Sequence, residues 1–300
     1  MAPWLRNLPL TLFKLKIARV LYWCVRLFVR DDHRTVERRS IHYDLDLSEG
    51  FDLSLLLFGE FQGHVARCRY LNLSNDAVVF DVGANFGIMS LQYSKLVERG
   101  HVHAFEPTDY AFAKLKRNLQ LNPNLAGRVT ANQLFVSSST SAKANLKAHS
   151  SWKINGQNGK AHPLHGGTVQ IATNVPAITL DDYCIQQDIK RVDFIKIDTD
   201  GHEYDVLCGA RKTISAYHPA IIFEVGVYVM KEHGITFDHY LSFFEPLGYQ
   251  LMDSKSGRRI NRDNHQQQIP LKSTIDVLCR CATAHPNQVN SAPIPHKECR

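Results

Sequence analysis

The chain has 300 residues, 44% hydrophobic and 21% charged, which supplies core for one large α/β domain with additions and excludes a disordered or fibrous chain. Its formal net charge of +6 is concentrated between Arg6 and Arg39. No zinc-finger spacing or stacked-aromatic RNA signature accompanies it, so no nucleic-acid partner is expected.

Residues 8–29 carry apolar side chains at helical spacing (Leu10, Phe13, Ile17, Val20, Leu21, Cys24), edged by Lys14, Lys16, Arg19 and Arg26. The cations interrupt any run of the roughly 18–20 apolar residues that a membrane span needs. No small-residue cleavage site marks a signal peptide. A helix lying on an anionic membrane surface fits this pattern, as does one docked on the domain or on a second subunit. Residues 1–45 are therefore read as a basic amphipathic extension, with peripheral membrane contact through 8–29. Seven cysteines at irregular spacing, with no CxxC pair, read as reduced thiols and a cytoplasmic setting; Cys184 and Cys208 sit in apolar periodic segments that predict burial.

From Ala77 the chain alternates strand and helix signals. AVVFDVG (77–83) is a short apolar run closed by glycine, hence a buried strand, and a helix follows from Gly87 to about Glu98. HVHAFEP (101–107) is a second strand. Thr108 or Asp109 can cap the next helix, whose apolar face is Phe112, Leu115, Leu119 and Leu121. A third strand spans 128–137, ending at Ser137. Residues 138–175 lose periodicity, with two Asn-Gly pairs and a Gly-Gly pair, and read as a hairpin or long loop excursion. Alternation returns with a helix at 179–187, a strand at 192–198, a helix at 203–215, a strand at 220–226, a helix at 237–247, and strands at 249–253 and 273–281. Residues 284–300 read as a disordered tail.

Repeated strand–helix units predict an α/β fold, a doubly wound and mostly parallel sheet with helices on both faces. Ligands of such sheets bind beyond the carboxyl ends of the strands. The residues there are Asp81 with its loop, Glu106, Asp198 with Asp200, and Glu224, all acids. Gly83 and Gly87 give the loop its tight turns, but their G-x-x-x-G spacing, with Asn85 between, is not the GxGxxG of dinucleotide enzymes. No GxxxxGK[ST] phosphate loop is present either. Glu106, closing the second strand, suits ribose hydroxyls, and Asp81 suits a cationic ligand by Coulomb attraction.

DVGANFG (81–87), FEPT (105–108) and DFIKIDTDGHEYDVLCGA (193–210), in this order and spacing, resemble the FkbM family of methyltransferases. The resemblance runs from about Asp46 to Glu224, and Asp200 stands where many members have glutamate. It implies a class I methyltransferase (Rossmann-like) fold, with a seven-stranded sheet whose last strand is antiparallel and an N-terminal helical extension. It implies S-adenosyl-L-methionine as donor and O-methylation, with sugars and natural-product hydroxyls as acceptors; the polar loop at 149–174 and the basic N-terminal helix suit a hydroxyl on a sugar, glycan or glycolipid. The methyltransferase domain is then 46–283, and Asp81, Gly83, Asn85, Gly87, Glu106, Ser137 and Asp198 form the donor site.

Methyl transfer to a hydroxyl needs its proton removed, and a carboxylate or imidazole can accept it. Asp198, His202 and Glu224 are the catalytic candidates, against the plainer reading of His202 as a helix cap. Lys196 either pairs with one of the acids or lies at the sheet edge. Asp198, Asp200 and Glu224 also suit a hard cation, but acids in one place more often act by hydrogen bonding, so no metal is expected. His149, His162 and His165 lack zinc spacing and suit an acceptor-facing lid. A nicotinamide oxidoreductase and a non-catalytic nucleoside-binding module are the alternatives. The missing GxGxxG speaks against the first, and the joint presence of Asp81, Gly83 and Glu106 against the second.

Overall fold

The structure is a computed structural model, and it describes residues 20–27, 29, 31–59, 62–140, 143–150, 168–271 and 273–281, with backbone alone over 143–150 and 168–174. Residues 1–19 and 151–167, with His162 and His165, and the tail 284–300 lie outside the described residues.

The chain opens with helix α1 (residues 20–26), hairpin β1 (His33–Arg38) and β2 (Ile41–Asp46), helix α2 (Gly50–Phe58) and the single turn α3 (Gly63–Ala66). Next come β3 (Val78–Val82), α4 (Ile88–Leu96), β4 (His101–Phe105), α5 (Asp109–Gln120), α6 (Pro123–Ala126) and β5 (Val129–Asn132). β6 (Phe135–Val136), β7 (Lys143–Ser150) and β8 (Thr168–Ile178) form a separate three-stranded sheet. The second half runs α7 (Leu180–Gln186), β9 (Phe194–Ile197), α8 (Glu203–Cys208), α9 (Arg211–Tyr217), β10 (Ala220–Gly226), α10 (Val227–Glu232) and α11 (Phe237–Phe244). β11 (Tyr249–Asp253), β12 (Arg259–Ile260), α12 (His265–Gln268) and β13 (Thr274–Cys281) complete it.

The main sheet has eight strands in the order β12-β11-β13-β10-β9-β3-β4-β5. β10, β9, β3, β4 and β5 are mutually parallel, while β13 runs antiparallel between β10 and β11. This is the expected sheet with one addition: the two-residue β12 pairs the outer edge of β11 and brings seven strands to eight. Central strands are apolar on both sides because helices cover both faces. One face packs against α7, α8, α9 and α11, with Phe80, Ile195 and Phe223 wholly buried. The other packs against α3 and α4 through Val65, Tyr93 and Phe194.

Several boundaries differ from the periodicity. The stretch 128–137 splits: β5 pairs β4, but β6 leaves the main sheet to pair β8. The expected helix at 203–215 is two helices. Gly209 closes α8, and a Cβ there would lie 2.1 Å from the Ser137 carbonyl oxygen, so only glycine fits at this approach. Asp181 restarts the helix by accepting from the N–H groups of Lys212 and Thr213 at 3.0 and 2.8 Å. The inward face Val206, Leu207, Ala210 and Ile214 is nonetheless fully buried. Cys184 is buried as expected, whereas Cys208 is exposed at the end of α8.

Residues read as extension contribute to the core. Ile41, Tyr43 and Leu45 of β2 pack with Leu91 and Leu115. Asn118 and Asn122 of the α5 region accept from the N–H groups of Asp44 and His42, each at 2.8 Å. Lys114, buried on α5, pairs with Asp52 of α2 and lies 3.4 Å from Glu49. Among the described residues no helix is long and apolar enough to cross a membrane.

Candidate active site

The turn after β3 is built around two glycines in the left-handed region. Gly83 has φ +76°, and a Cβ there would sit 1.8 Å from the Asp198 carbonyl oxygen, so only glycine lets the end of β9 pass this close. Gly87 has φ +83°, and its Cβ would meet Leu115 Cδ1 at 2.3 Å. Asn85 also lies in this region, at φ 49°, a conformation that asparagine tolerates better than most residues. Its N–H donates to Glu106 Oε2 at 2.9 Å. Glu106 Oε1 accepts from the Thr108 N–H at 2.9 Å and the Thr108 hydroxyl at 2.6 Å. Thr108 thus precedes α5 without capping it, because its hydroxyl is spent on Glu106.

The N–H groups of Gly83 and Ala84 donate to the Phe105 carbonyl at 3.0 and 2.9 Å, so the β3 loop and the end of β4 form one hydrogen-bonded unit. Burial raises the pKa of Glu106, against hydrogen bonds that favour its ionised form. Oε2 has a second lone pair beyond the Asn85 bond, which suits a ribose hydroxyl. The glycine cradle and this acceptor fit a nucleoside. Ser137 follows β6, and its N–H donates to the Ile178 carbonyl at 2.9 Å. It therefore belongs to the small sheet rather than to a main-sheet strand end.

Asp81 is wholly buried. Its Oδ2 accepts from the Ser90 hydroxyl at 2.5 Å, and Oδ1 lies 3.3 Å from Lys196 Nζ. Lys196 also donates to the Gly83 carbonyl at 3.1 Å and sits 3.6 Å from Asp198 Oδ2. Burial works against the charge of Lys196, but Asp81 and Asp198 outweigh it and its pKa is raised. The lysine is not at the sheet edge, since β9 is central. Asp81, expected to face a cationic ligand, is instead already neutralised by a lysine that only the β3–β9 pairing brings to it.

Asp198, its side chain 26% exposed, is the open carboxylate beside the glycine turn. It accepts from Gln62 Nε2 at 3.3 Å. The turn that follows carries two residues in positive φ, Asp200 at 52° and Gly201 at 109°. Glu203 holds this turn: its Oε1 accepts from the N–H groups of Thr199 and Gly201 at 2.8 and 3.1 Å and from the Thr199 hydroxyl at 3.1 Å. The sequence showed Glu203 only as part of the KIDTDGHE block. Its role was concealed because the acceptor lies after the turn it organises.

His202 precedes α8 without a side-chain cap, so the cap reading does not hold. Its ring lies edge-to-face with Phe135 at 5.4 Å and His233 at 5.0 Å, and Nδ1 is 3.7 Å from Asp205 Oδ2. Burial, then His233, lowers its pKa. Glu224 Oε1 accepts from the Thr274 hydroxyl at 2.6 Å. Burial, with Asp198 and Asp276 nearby, pushes its pKa well up. Asp198, Glu224 and Asp276 stand on the three adjacent strand ends of β9, β10 and β13, with Glu224 and Asp276 directly paired. Among the described residues no three His, Cys, Asp or Glu side chains gather to hold a metal ion. Gln62, which precedes α3, and His64 on it escaped the sequence reading, as did Asp276 of β13. Gln62 reaches Asp198, while His64 Nε2 lies 2.7 Å from Asp276 Oδ2.

The family model of the methyltransferase FkbM domain matches residues 81–251. The chain is 30% identical over 161 residues to methyltransferase sdnD of Sordaria araneosa, covering 46% of this chain and 62% of that protein. It is 24% identical over 152 residues to the 2-O-methyltransferase NoeI of Sinorhizobium fredii, covering 47% of this chain and 60% of that one. The chain thus spans less than two thirds of the length of these curated relatives. Among solved structures it is similar to an FkbM methyltransferase from Methylobacillus flagellatus, with a TM-score of 0.44 and 18% identity, covering 71% of this chain and 46% of that one. The chain belongs to the FkbM methyltransferase family, whose methyl donor is S-adenosylmethionine.

Proposed function

We propose that the chain transfers the methyl group of S-adenosylmethionine to a hydroxyl of a sugar, glycan or glycolipid acceptor. The observation that carries this reading is the open carboxylate of Asp198 beside the Gly83 turn, with Lys196 and Gln62 fixing its orientation. Gly83, Asn85, Gly87 and Glu106 hold the nucleoside of the donor, with Ser137 as a further donor contact, and Asp81 acts through Lys196 rather than on the donor itself. When bound, the donor supplies a methyl already activated by its sulfonium. The protein's part is then to align the acceptor oxygen, an effect worth up to roughly 7–11 kcal/mol. Asp198 orients the acceptor hydroxyl. Glu224, pushed toward its neutral form and bonded to Thr274, stands at the neighbouring strand end. The likeness to a protein named as a 2-O-methyltransferase supports oxygen as the target atom. The same reading includes contact of α1 with a membrane surface, supported by its outward Val20, Trp23 and Leu27.

The test is transfer of labelled methyl from S-adenosylmethionine to a panel of cell-envelope glycans and glycolipids, with Glu106→Ala as control. The expected product carries label as an alkali-stable methyl ether, and the control binds S-adenosylhomocysteine at least ~10-fold more weakly. Alkali-labile label (a methyl ester) or label on nitrogen overturns O-methylation. No calorimetric heat with S-adenosylhomocysteine favours a non-catalytic module.

A further inference from the structure

The single turn α3 spans the mouth of the site. Gln62 donates to Asp198 at the end of β9, and His64, two residues on, reaches Asp276 on β13. β10, carrying Glu224, lies between those strands, so the turn bridges three neighbouring strand ends. His64 is the partly open member, with its side chain 37% exposed against 15% for Asp276. With Asp276 as the acceptor, the contact at 2.7 Å puts the ring proton of His64 on Nε2. Nδ1 is then left with its lone pair and has no hydrogen-bond partner among the described residues.

We propose that His64, oriented by Asp276, is the base that takes the proton of the acceptor hydroxyl. This rests on the O-methylation reading above. As the O–H bond breaks, its proton passes to Nδ1 of His64. The oxygen's electron pair forms the new C–O bond, while the C–S pair returns to sulfur and leaves a neutral thioether. Asp276 stabilises the imidazolium, which later releases its proton to water. The other charged groups at this end are less suited. Asp198 is engaged by Lys196 and Gln62, and Glu224 is bonded to Thr274 and held toward its neutral form. His202 is wedged between the rings of Phe135 and His233.

Two measurements test this on the full chain. Long-range proton–nitrogen spectra of ¹⁵N-histidine protein bound to S-adenosylhomocysteine, with His64 assigned by loss of its signal in His64→Gln, should show neutral His64 protonated on Nε2. Protonation on Nδ1 instead overturns the proposal. In methyl transfer to the acceptor found with the glycan panel, His64→Gln, a change at a partly exposed side chain, should lower kcat at least ~100-fold. It should also abolish the acid limb of the kcat–pH profile and leave S-adenosylhomocysteine affinity within about threefold. An active wild type with undiminished His64→Gln turnover sinks the dyad alone. A wild type that labels no acceptor sinks O-methylation, and the dyad's role with it.

Discussion

At Glu203 one carboxylate oxygen serves three donors across the turn that ends β9. Hydrogen bonds to a charged acceptor are worth about 1.5–3 kcal/mol each when a buried partner would otherwise be orphaned. Glu203→Ala should therefore destabilise by a few kcal/mol in urea titration and weaken S-adenosylhomocysteine binding by about tenfold or more, because Asp198 and the Gly83 turn lose their support. Glu203→Gln retains an oxygen that can accept from all three donors, and should recover most of both. Equal damage from the two substitutions would mean that charge, not the hydrogen-bonded turn, is what matters. Gly83 and Glu106 were legible in the sequence, since a glycine in a strand-to-helix turn and an acid closing a strand each take their meaning from a few contiguous residues. Asp81 was legible as an acid beside the glycine turn, but its pairing was not. Its partner Lys196 belongs to another strand, and only sheet register brings the two within 3.3 Å.

Among elements, α1 presents two faces of different character. Tyr22 is buried and donates to Asp32 at 3.0 Å, and Val25 packs on the same core. Val20, Trp23 and Leu27 are 64%, 64% and 81% exposed. In sequence these outward apolar groups follow the basic stretch Lys14, Lys16 and Arg19, a pattern that suits an anionic lipid surface, which gains from burial of apolar side chains and from charge attraction. The protein should co-float with vesicles containing phosphatidylserine, and Trp23→Ala with Leu27→Ala should lose that association without loss of thermal stability. Absence of wild-type recovery at low salt would refute membrane contact. Helical periodicity marked the described part of this element, residues 20–26. It was blind to the break at Gly209, which sits against the Ser137 carbonyl, and to hairpin β1–β2, whose short strands alternate against a core far along the chain.

For the whole molecule, the layer between the main sheet and α7 makes folding stability depend on pH. His103 of β4 is 8% exposed, with Nδ1 2.9 Å from the Tyr183 hydroxyl. Burial, then His101, pushes its pKa down to about 4, whereas an unfolded histidine titrates near ~6.5. Between those values the unfolded chain binds a proton that the folded chain refuses. The contribution is thus present above the unfolded value and lost as pH falls toward 4, amounting to roughly 2–3 kcal/mol. Urea midpoints should fall by that equivalent between pH 7 and 4.5 in wild type and markedly less in His103→Phe, and parallel falls in both proteins would dismiss this source. The sequence by itself determined the alternating α/β plan, the glycine turn, the acids at the strand ends and the family. Each of these is written in local periodicity or contiguous motifs, where a strand's apolar run or a glycine's freedom is set within a few residues. Only the tertiary structure decided that Lys196 neutralises Asp81, that Ser137 leaves the main sheet, that Glu203 pins the turn and that Gln62 and His64 close over Asp198 and Asp276. Those are contacts between residues distant in the chain, and they come into being when strand order and register place separate segments side by side.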